Sequence, residues 1–332
     1  MFIIENYLTA VLLCIVTMLC WGSWANTQKL TSSHWRFELF YWDYALGILI
    51  SAILFALTLG SVGDEGRSFI PDLNQATQEN LFSAFLGGVI FNGANILLVA
   101  AISIAGMSVA FPVGIGIALV LGVLVNYLAA PQGSPILIFG GVALISLAII
   151  LNARAYKQLN EGGSEKLSSK GLFLSVISGC LMGLFYKYVA ASMATNFVAP
   201  EVGKLSPYTA LVLFSVGVLL SSFLFNTWQM KKPFSGNAVS FGDYFQGTFQ
   251  DHIMGVLGGG IWFIGMALSI LASEKAGPAV SYGLGQGATV VAAIWGIFIW
   301  KEFDKAKSST KSMLNWMLLL YIVGLALLIG AK

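Results

Sequence analysis

Residues 86–116 read LGGVIFNGANILLVAAISIAGMSVAFPVGIG and residues 257–287 read LGGGIWFIGMALSILASEKAGPAVSYGLGQG; the two align without a gap at a constant offset of 171, with 11 of 31 positions identical. The matches include Leu86/Leu257, Gly87/Gly258, Gly88/Gly259, Ala105/Ala276, Gly106/Gly277, Gly114/Gly285 and Gly116/Gly287. Each copy is a pair of apolar runs joined at a small residue, and each run is long enough to cross about 30 Å of hydrocarbon as a helix of about 20 residues. In a chain with ten such runs, a hairpin at positions 3–4 that recurs at positions 8–9 makes five spans the repeating unit. An odd unit enters the bilayer from opposite sides in its two copies, which predicts an inverted pair related by a pseudo-two-fold axis in the membrane plane. That is the architecture of alternating-access carriers, whose site lies near the midplane where the repeats meet. Chance similarity among small apolar residues is the competing explanation, and the fixed register of paired glycines argues against it.

Composition agrees with this hairpin reading. The 332 residues are 57% hydrophobic and 10% charged, where soluble domains carry roughly 25% charge, so most of the chain faces lipid or itself. The sequence predicts spans at 6–26, 40–60, 81–103, 107–128, 134–152, 171–195, 206–228, 252–273, 278–300 and 312–331. The apolar period is not the strict alternation of a barrel, and backbone groups in hydrocarbon must bond within their own segment, so these are helices. The expected class is an all-α integral membrane protein of ten helices, with a first repeat over 1–152, a linker over 153–170 rich in Gly, Ser and Lys, and a second repeat over 171–332. The first span carries Glu5 in place of a basic flank and has a long apolar run, which reads as a retained helix and not a cleaved signal.

The net charge of +2 and the lack of a basic run interleaved with exposed aromatics give no indication of nucleic acid binding. Ten spans put both termini on one side. The opposite loops hold twelve basic residues: Lys29, Arg36, Arg154, Lys157, Lys166, Lys170, Lys231, Lys232, Lys301, Lys305, Lys307 and Lys311. The terminal side holds Arg67, Lys204, Lys275 and Lys332, so the positive-inside rule places the twelve in the cytoplasm and the termini outside a cell membrane. In the long 229–251 connection, Phe241, Tyr244, Phe245 and Phe249 recur at helical spacing; this fits an interfacial amphipathic helix, or a loop capped by aromatics.

Cys14, Cys20 and Cys180 all fall within spans and lack metal-like spacing, so neither a disulfide framework nor a metal site is expected. His34 and His252 sit at span edges, and no HExxH, GxSxG or paired midplane aspartates occur, which sets an intramembrane enzyme aside. A channel would need a ring of acidic groups or a carbonyl filter, and the sequence shows no such motif. What remains is a carrier that needs no cofactor.

Polar and aromatic residues inside the spans are the candidates for solute contact. Lys187 is the one basic residue placed in a span, where a charge costs at least ~2.5 kcal/mol, so it either faces a cavity as ligand or coupling group or snorkels to the outer surface. Asn92 and Asn95, three apart on the third span, offer amides suited to solute oxygens and nitrogens, or to bonds between helices. Tyr282, Gln286 and Thr289 form a polar stripe on the ninth span whose repeat counterparts, Phe111, Ile115 and Ala118, are apolar; the asymmetry argues for solute contact. Trp262 on the eighth span and Trp21 and Trp24 on the first can stack on a planar or sugar-like solute; packing and an interfacial aromatic belt are the alternatives. Pro112, with Gly114 and Gly116, is expected to break the fourth helix and free carbonyls near a cavity, or simply to kink it. Asp43, Glu302 and the Glu274/Lys275 pair lie at span ends and read first as structural.

Several stretches carry a family resemblance. YWDYALG at 41–47, ALTLG at 56–60, AGMSVAF at 105–111, NYL at 126–128, KLSPYTALVLFS at 204–215 and AIWGIFIWKEF at 293–303 resemble the ureide permease family in the same order along nearly the whole chain. CWGSWAN at 20–26 is similar to the bacterial glucose/ribose uptake branch of the same drug/metabolite transporter superfamily. The resemblance implies two inverted five-helix halves and a central cavity lined by helices 1, 3, 4, 6, 8 and 9. It also implies uptake of ureides or nucleobases with protons, with sugars as the alternative solute. Lys187, in GCLMGLFYKYVAAS at 179–192, departs from what that family leads one to expect.

Overall fold

A computed structural model describes residues 1–105, 107–159, 168–234 and 236–332. Its ten membrane-length helices are Tyr7–Leu30, Phe37–Leu57, Gln78–Ala105, Met107–Ala129, Pro135–Leu159, Ser169–Ser192, Pro207–Lys231, Phe249–Ala276, Pro278–Ile299 and Ser308–Ile329, called spans 1 to 10 below. The chain is a multi-pass, all-α membrane protein.

Local chemistry sets where the helices begin and end. The side chains of Asn6, Ser168 and Ser206 accept from Thr9, Gly171 and Thr209 backbone N–H groups, capping spans 1, 6 and 7. Thr248 and Asp251 form a reciprocal capping box that starts span 8. Gly277, at φ +81°, ends span 8 in a conformation open to glycine, and Pro278 restarts the chain as span 9. The matching Gly106 lies outside the described residues.

Two expectations need correction and a third is narrowed. Span 5 continues as helix to Leu159, so the linker starts later than residue 153; residues 160–167 lie outside the described residues. Of the two readings of the 229–251 connection, the helix is present but short: a Ser240/Asp243 capping box starts it, it spans Phe241–Phe245, and Gln246 ends it, so Phe249 already belongs to span 8. Phe245 is 78% exposed while Tyr244 turns inward to Asp43. Span 4 runs unbroken through Pro112 over Met107–Ala129. The break falls instead in span 9, at Gly287 between Pro278–Gln286 and Ala288–Ile294, where the Gly287 N–H bonds the carbonyls of Leu284 and Gly285.

Close packing follows the glycines. A Cβ on Gly88 would overlap the Phe214 carbonyl oxygen, and one on Gly217 would overlap that of Phe85, so spans 3 and 7 touch backbone to backbone. Gly259 against the Tyr44 carbonyl and Gly47 against that of Val256 repeat the arrangement between spans 8 and 2. In lipid no hydrophobic drive holds helices together, and such approach supplies the dispersion contacts that do. The remaining packing is paired in the same way: span 3 lies on span 6 as span 8 lies on span 1, and span 4 on span 6 as span 9 on span 1. Spans 2 and 7, 4 and 9, and 5 and 10 meet each other.

Candidate functional site

A cavity of about 620 Å³ runs from one end of the bundle into its middle. It is walled by spans 1, 3, 4, 6, 8 and 9, with span 5 contributing Ile149, Asn152, Ala153 and Tyr156. Exposure marks its direction. Lys29 and Trp300 reach solvent, whereas Phe91, Asn95, Phe185, Trp262 and Gln286 are buried. The mouth therefore lies at the end of the bundle where span 5 ends and span 9 runs into Glu302, and the floor lies at mid-bundle.

Rings and amides make the floor. Trp262 sits at its centre, 4.3 Å from Phe91 between ring centroids and stacked at 14° on Trp21, whose Nε1 donates to the Trp262 carbonyl. Phe185 and Met182 close the span 6 side. Asn95 Nδ2 donates to the Tyr41 hydroxyl at 3.2 Å, which leaves its Oδ1 without a partner among the described residues. The Gln286 side chain lines the cavity and makes no hydrogen bond among the described residues. Within a mostly apolar wall, these amide atoms, with the Asn152 amide whose Oδ1 also lacks a partner among the described residues, can fix a ligand's orientation. Among the described residues the lining carries no charge at this depth.

Charges occur at the mouth. Lys29 Nζ lies 3.3 Å from Glu302 Oε1 and 4.5 Å over the Trp300 ring, and the Tyr156 hydroxyl donates to Glu302 Oε2 at 2.8 Å. Trp300 Nε1 donates to Asn26 Oδ1 and Trp295 Nε1 to Ser23 Oγ. These bonds tie the ends of spans 1, 5 and 9 around the opening. Glu302, read from sequence as structural, does hold the mouth together and also lines it.

Of the residues singled out by sequence, Trp21, Trp24, Asn95, Trp262, Gln286, Thr289 and Pro112 come together around this cavity. Asn92, Tyr282, Lys187 and Gly114 do not line it. Asn92 is fully buried; it accepts from the Tyr41 hydroxyl at 2.8 Å and donates to Ser221 Oγ at 2.7 Å, joining spans 2, 3 and 7. The Tyr282 hydroxyl donates to the carbonyls of Ala118 and Met182, about a turn beyond the floor, and so packs span 9 onto spans 4 and 6. Lys187 is exposed on the outside of span 6, because Phe185, Tyr186 and Val189 take the inward face. Gly114 packs against Leu98. The Thr289 hydroxyl is already engaged, donating to the Gln286 carbonyl and accepting from Tyr321.

Phe91, Phe185, Met182, Asn152 and the mouth residues Asn26, Lys29, Tyr156, Trp295 and Trp300 also line the cavity and were not singled out as solute contacts. A signal for some of them existed. Phe91/Trp262 and Ile115/Gln286 stand 171 positions apart, and all four line the cavity. Spans 1 and 6 follow an offset of 161: Gly87 faces the Phe185 carbonyl as Gly258 faces that of Trp24, and Trp21/Met182 and Trp24/Phe185 line the cavity in pairs.

Comparison with known proteins agrees with this architecture. A solved crystal structure superposes with a TM-score of 0.63 over 97% of this chain and 96% of its own, at 14% identity, which speaks to the fold alone. Among curated proteins, ureide permease 1 of Arabidopsis thaliana is 23% identical, covering 100% of this chain and 99% of the relative. Ureide permease 4 and ureide permease 2 of the same plant are 23% and 22% identical with the same coverage. The ureide permease family model matches residues 40–172 and 154–331. A match over most of the chain, together with full-length relatives, places the protein in the ureide permease family.

Proposed function

We propose that this protein is a secondary carrier that takes up a small, neutral, planar polar solute of the ureide or nucleobase class by alternating access, with protons as the coupling ion. The observation that carries the solute class is the cavity floor: aromatic faces from Trp21, Phe91 and Trp262 beside the unpartnered amide atoms of Asn95 and Gln286, with no charge there among the described residues. An amide presents a donor and an acceptor side by side, as a ureide or nucleobase edge does, and the rings offer flat surfaces for the solute's faces. The names of the relatives point the same way.

The mechanistic part rests on the paired packing of the two halves. Spans 1–5 and spans 6–10 act as inverted five-helix repeats, and the cavity lies on the axis between them, where alternating-access carriers place their site. By the positive-inside rule the mouth, with Lys29, faces the cytoplasm and the termini face outside. Lys187, exposed outside the bundle, is neither solute ligand nor coupling group in this reading.

Uptake of labelled allantoin, uracil, glucose and ribose into proteoliposomes under an imposed proton gradient tests the proposal. Saturable, gradient-dependent uptake of allantoin or uracil is expected. Uptake that persists unchanged after the gradient is collapsed removes proton coupling, and uptake of the sugars alone moves the solute class to the sugar branch.

A further inference from the structure

The pairing that relates the two sides of the floor extends one turn beyond it. Leu98 and Ala25 line the open cavity; their counterparts at the offsets of 171 and 161 are Ser269 and Tyr186, both fully buried at the far end and outside the lining. Instead they are joined to each other. The Tyr186 hydroxyl lies 3.2 Å from the Ser269 carbonyl oxygen, 3.2 Å from Ser269 Oγ and 3.4 Å from Ser281 Oγ. The Ser281 hydroxyl donates to the Ser269 carbonyl at 2.6 Å and lies 3.0 Å from Ser269 Oγ. The Cys14 thiol reaches Ser281 Oγ at 3.7 Å. Spans 1, 6, 8 and 9 thus meet in one hydrogen-bonded knot, one to two turns beyond Gln286.

We propose that Tyr186, Ser269 and Ser281 form the gate that closes the solute path at the end opposite the mouth, and that these bonds part when the cavity opens to that side. The inference rests on the reading of the cavity as a solute site. Two features support it. Two of its three residues, Tyr186 and Ser269, occupy the positions that form open wall in the other half, so exchanging the roles of the halves opens one end as it closes the other. The knot is also polar where its counterparts Ala25, Leu98 and Ala110 are apolar. Hydrogen bonds among groups shielded from water favour the closed far end, whereas the mouth has no equivalent latch at those positions; the form open at the mouth is therefore the resting one.

Cys14, fully buried beside the knot, is a native reporter. In a Cys20→Ser, Cys180→Ser background, the labelling rate of Cys14 by a polar maleimide is measured on purified, folded protein in detergent. The unaltered gate is expected to label slowly, and Tyr186→Phe, which removes the shared hydroxyl, to label about fivefold faster. Lys187→Gln, one residue along but facing outward, is expected to change nothing. Ser269→Ala supplies the same readout should Tyr186→Phe not fold. Labelling of folded Tyr186→Phe or Ser269→Ala at the unaltered rate overturns the gate. Stabilisation by allantoin or uracil, measured on the same preparations, is a separate readout: its loss in the unaltered protein counts against the cavity reading, whatever the labelling shows.

Discussion

Asn92 and Asn95 stand three positions apart on span 3, about 60° around the helix, and that angle separates two roles. Asn92 turns to spans 2 and 7 and is saturated there, while Asn95 turns to the cavity with a carbonyl oxygen to spare. Asn92→Ala strips the Tyr41 hydroxyl of its acceptor and is expected to cost about 1–3 kcal/mol, read as a lower unfolding temperature. Asn95→Ala is expected to weaken solute binding about tenfold, since one hydrogen bond is worth about 0.5–1.5 kcal/mol, with a smaller loss of stability. A larger stability loss in Asn95→Ala than in Asn92→Ala contradicts this assignment. Lys187→Gln is expected to leave uptake unchanged. The sequence identified the residue types here but not which face each takes: spacing puts Asn92 and Asn95 on one broad face, and only the neighbouring helices decide which points to the cavity. The same limit applied to Lys187, whose depth was legible and whose direction was not.

Among the elements, the glycines separate contact from composition. Gly88 and Gly259 each press on a carbonyl of the neighbouring span, whereas a Cβ on Gly116, aligned in the same repeat, would meet nothing within 4 Å among the described residues. Gly88→Ala and Gly259→Ala are each expected to destabilise by about 1–3 kcal/mol through overpacking. Gly116→Ala is expected to be neutral or slightly stabilising, because alanine fits a helix interior better than glycine. Thermal unfolding of the three variants checks this, and equal losses in all three would contradict it. The ten spans were legible because twenty-residue apolar runs have few other solutions in lipid. Their ends were less so. Span 5 keeps its helix past Asn152 into Tyr156, which carries that span into the cavity mouth, and no apolar run marks such an extension. Pro112 misled for a related reason: a proline removes one backbone bond, and span 4 absorbs that loss without breaking, while span 9 breaks at a glycine.

For the whole molecule, the 171-residue offset in the sequence is matched by a correspondence of contacts, floor residues and glycine pairs. What the repeat could not convey is which end of the cavity is open, because one alignment is compatible with either. The topology is testable through Ala25→Cys, which lines the open cavity near its mouth: in oriented cells it is expected to be protected from an impermeant maleimide outside and labelled after permeabilisation. Labelling from outside without permeabilisation would reverse the orientation. The central claim is that the aromatic and amide floor binds a ureide-like solute, and thermal unfolding of purified protein across a titration of allantoin and of uracil tests it most directly, since a ligand that binds the folded state raises its stability by mass action. The account predicts a saturable rise with at least one of them, with the midpoint shifted about tenfold or more in Gln286→Ala and unmoved in Lys187→Gln. A rise undiminished in Gln286→Ala, or no rise with either solute, would contradict it.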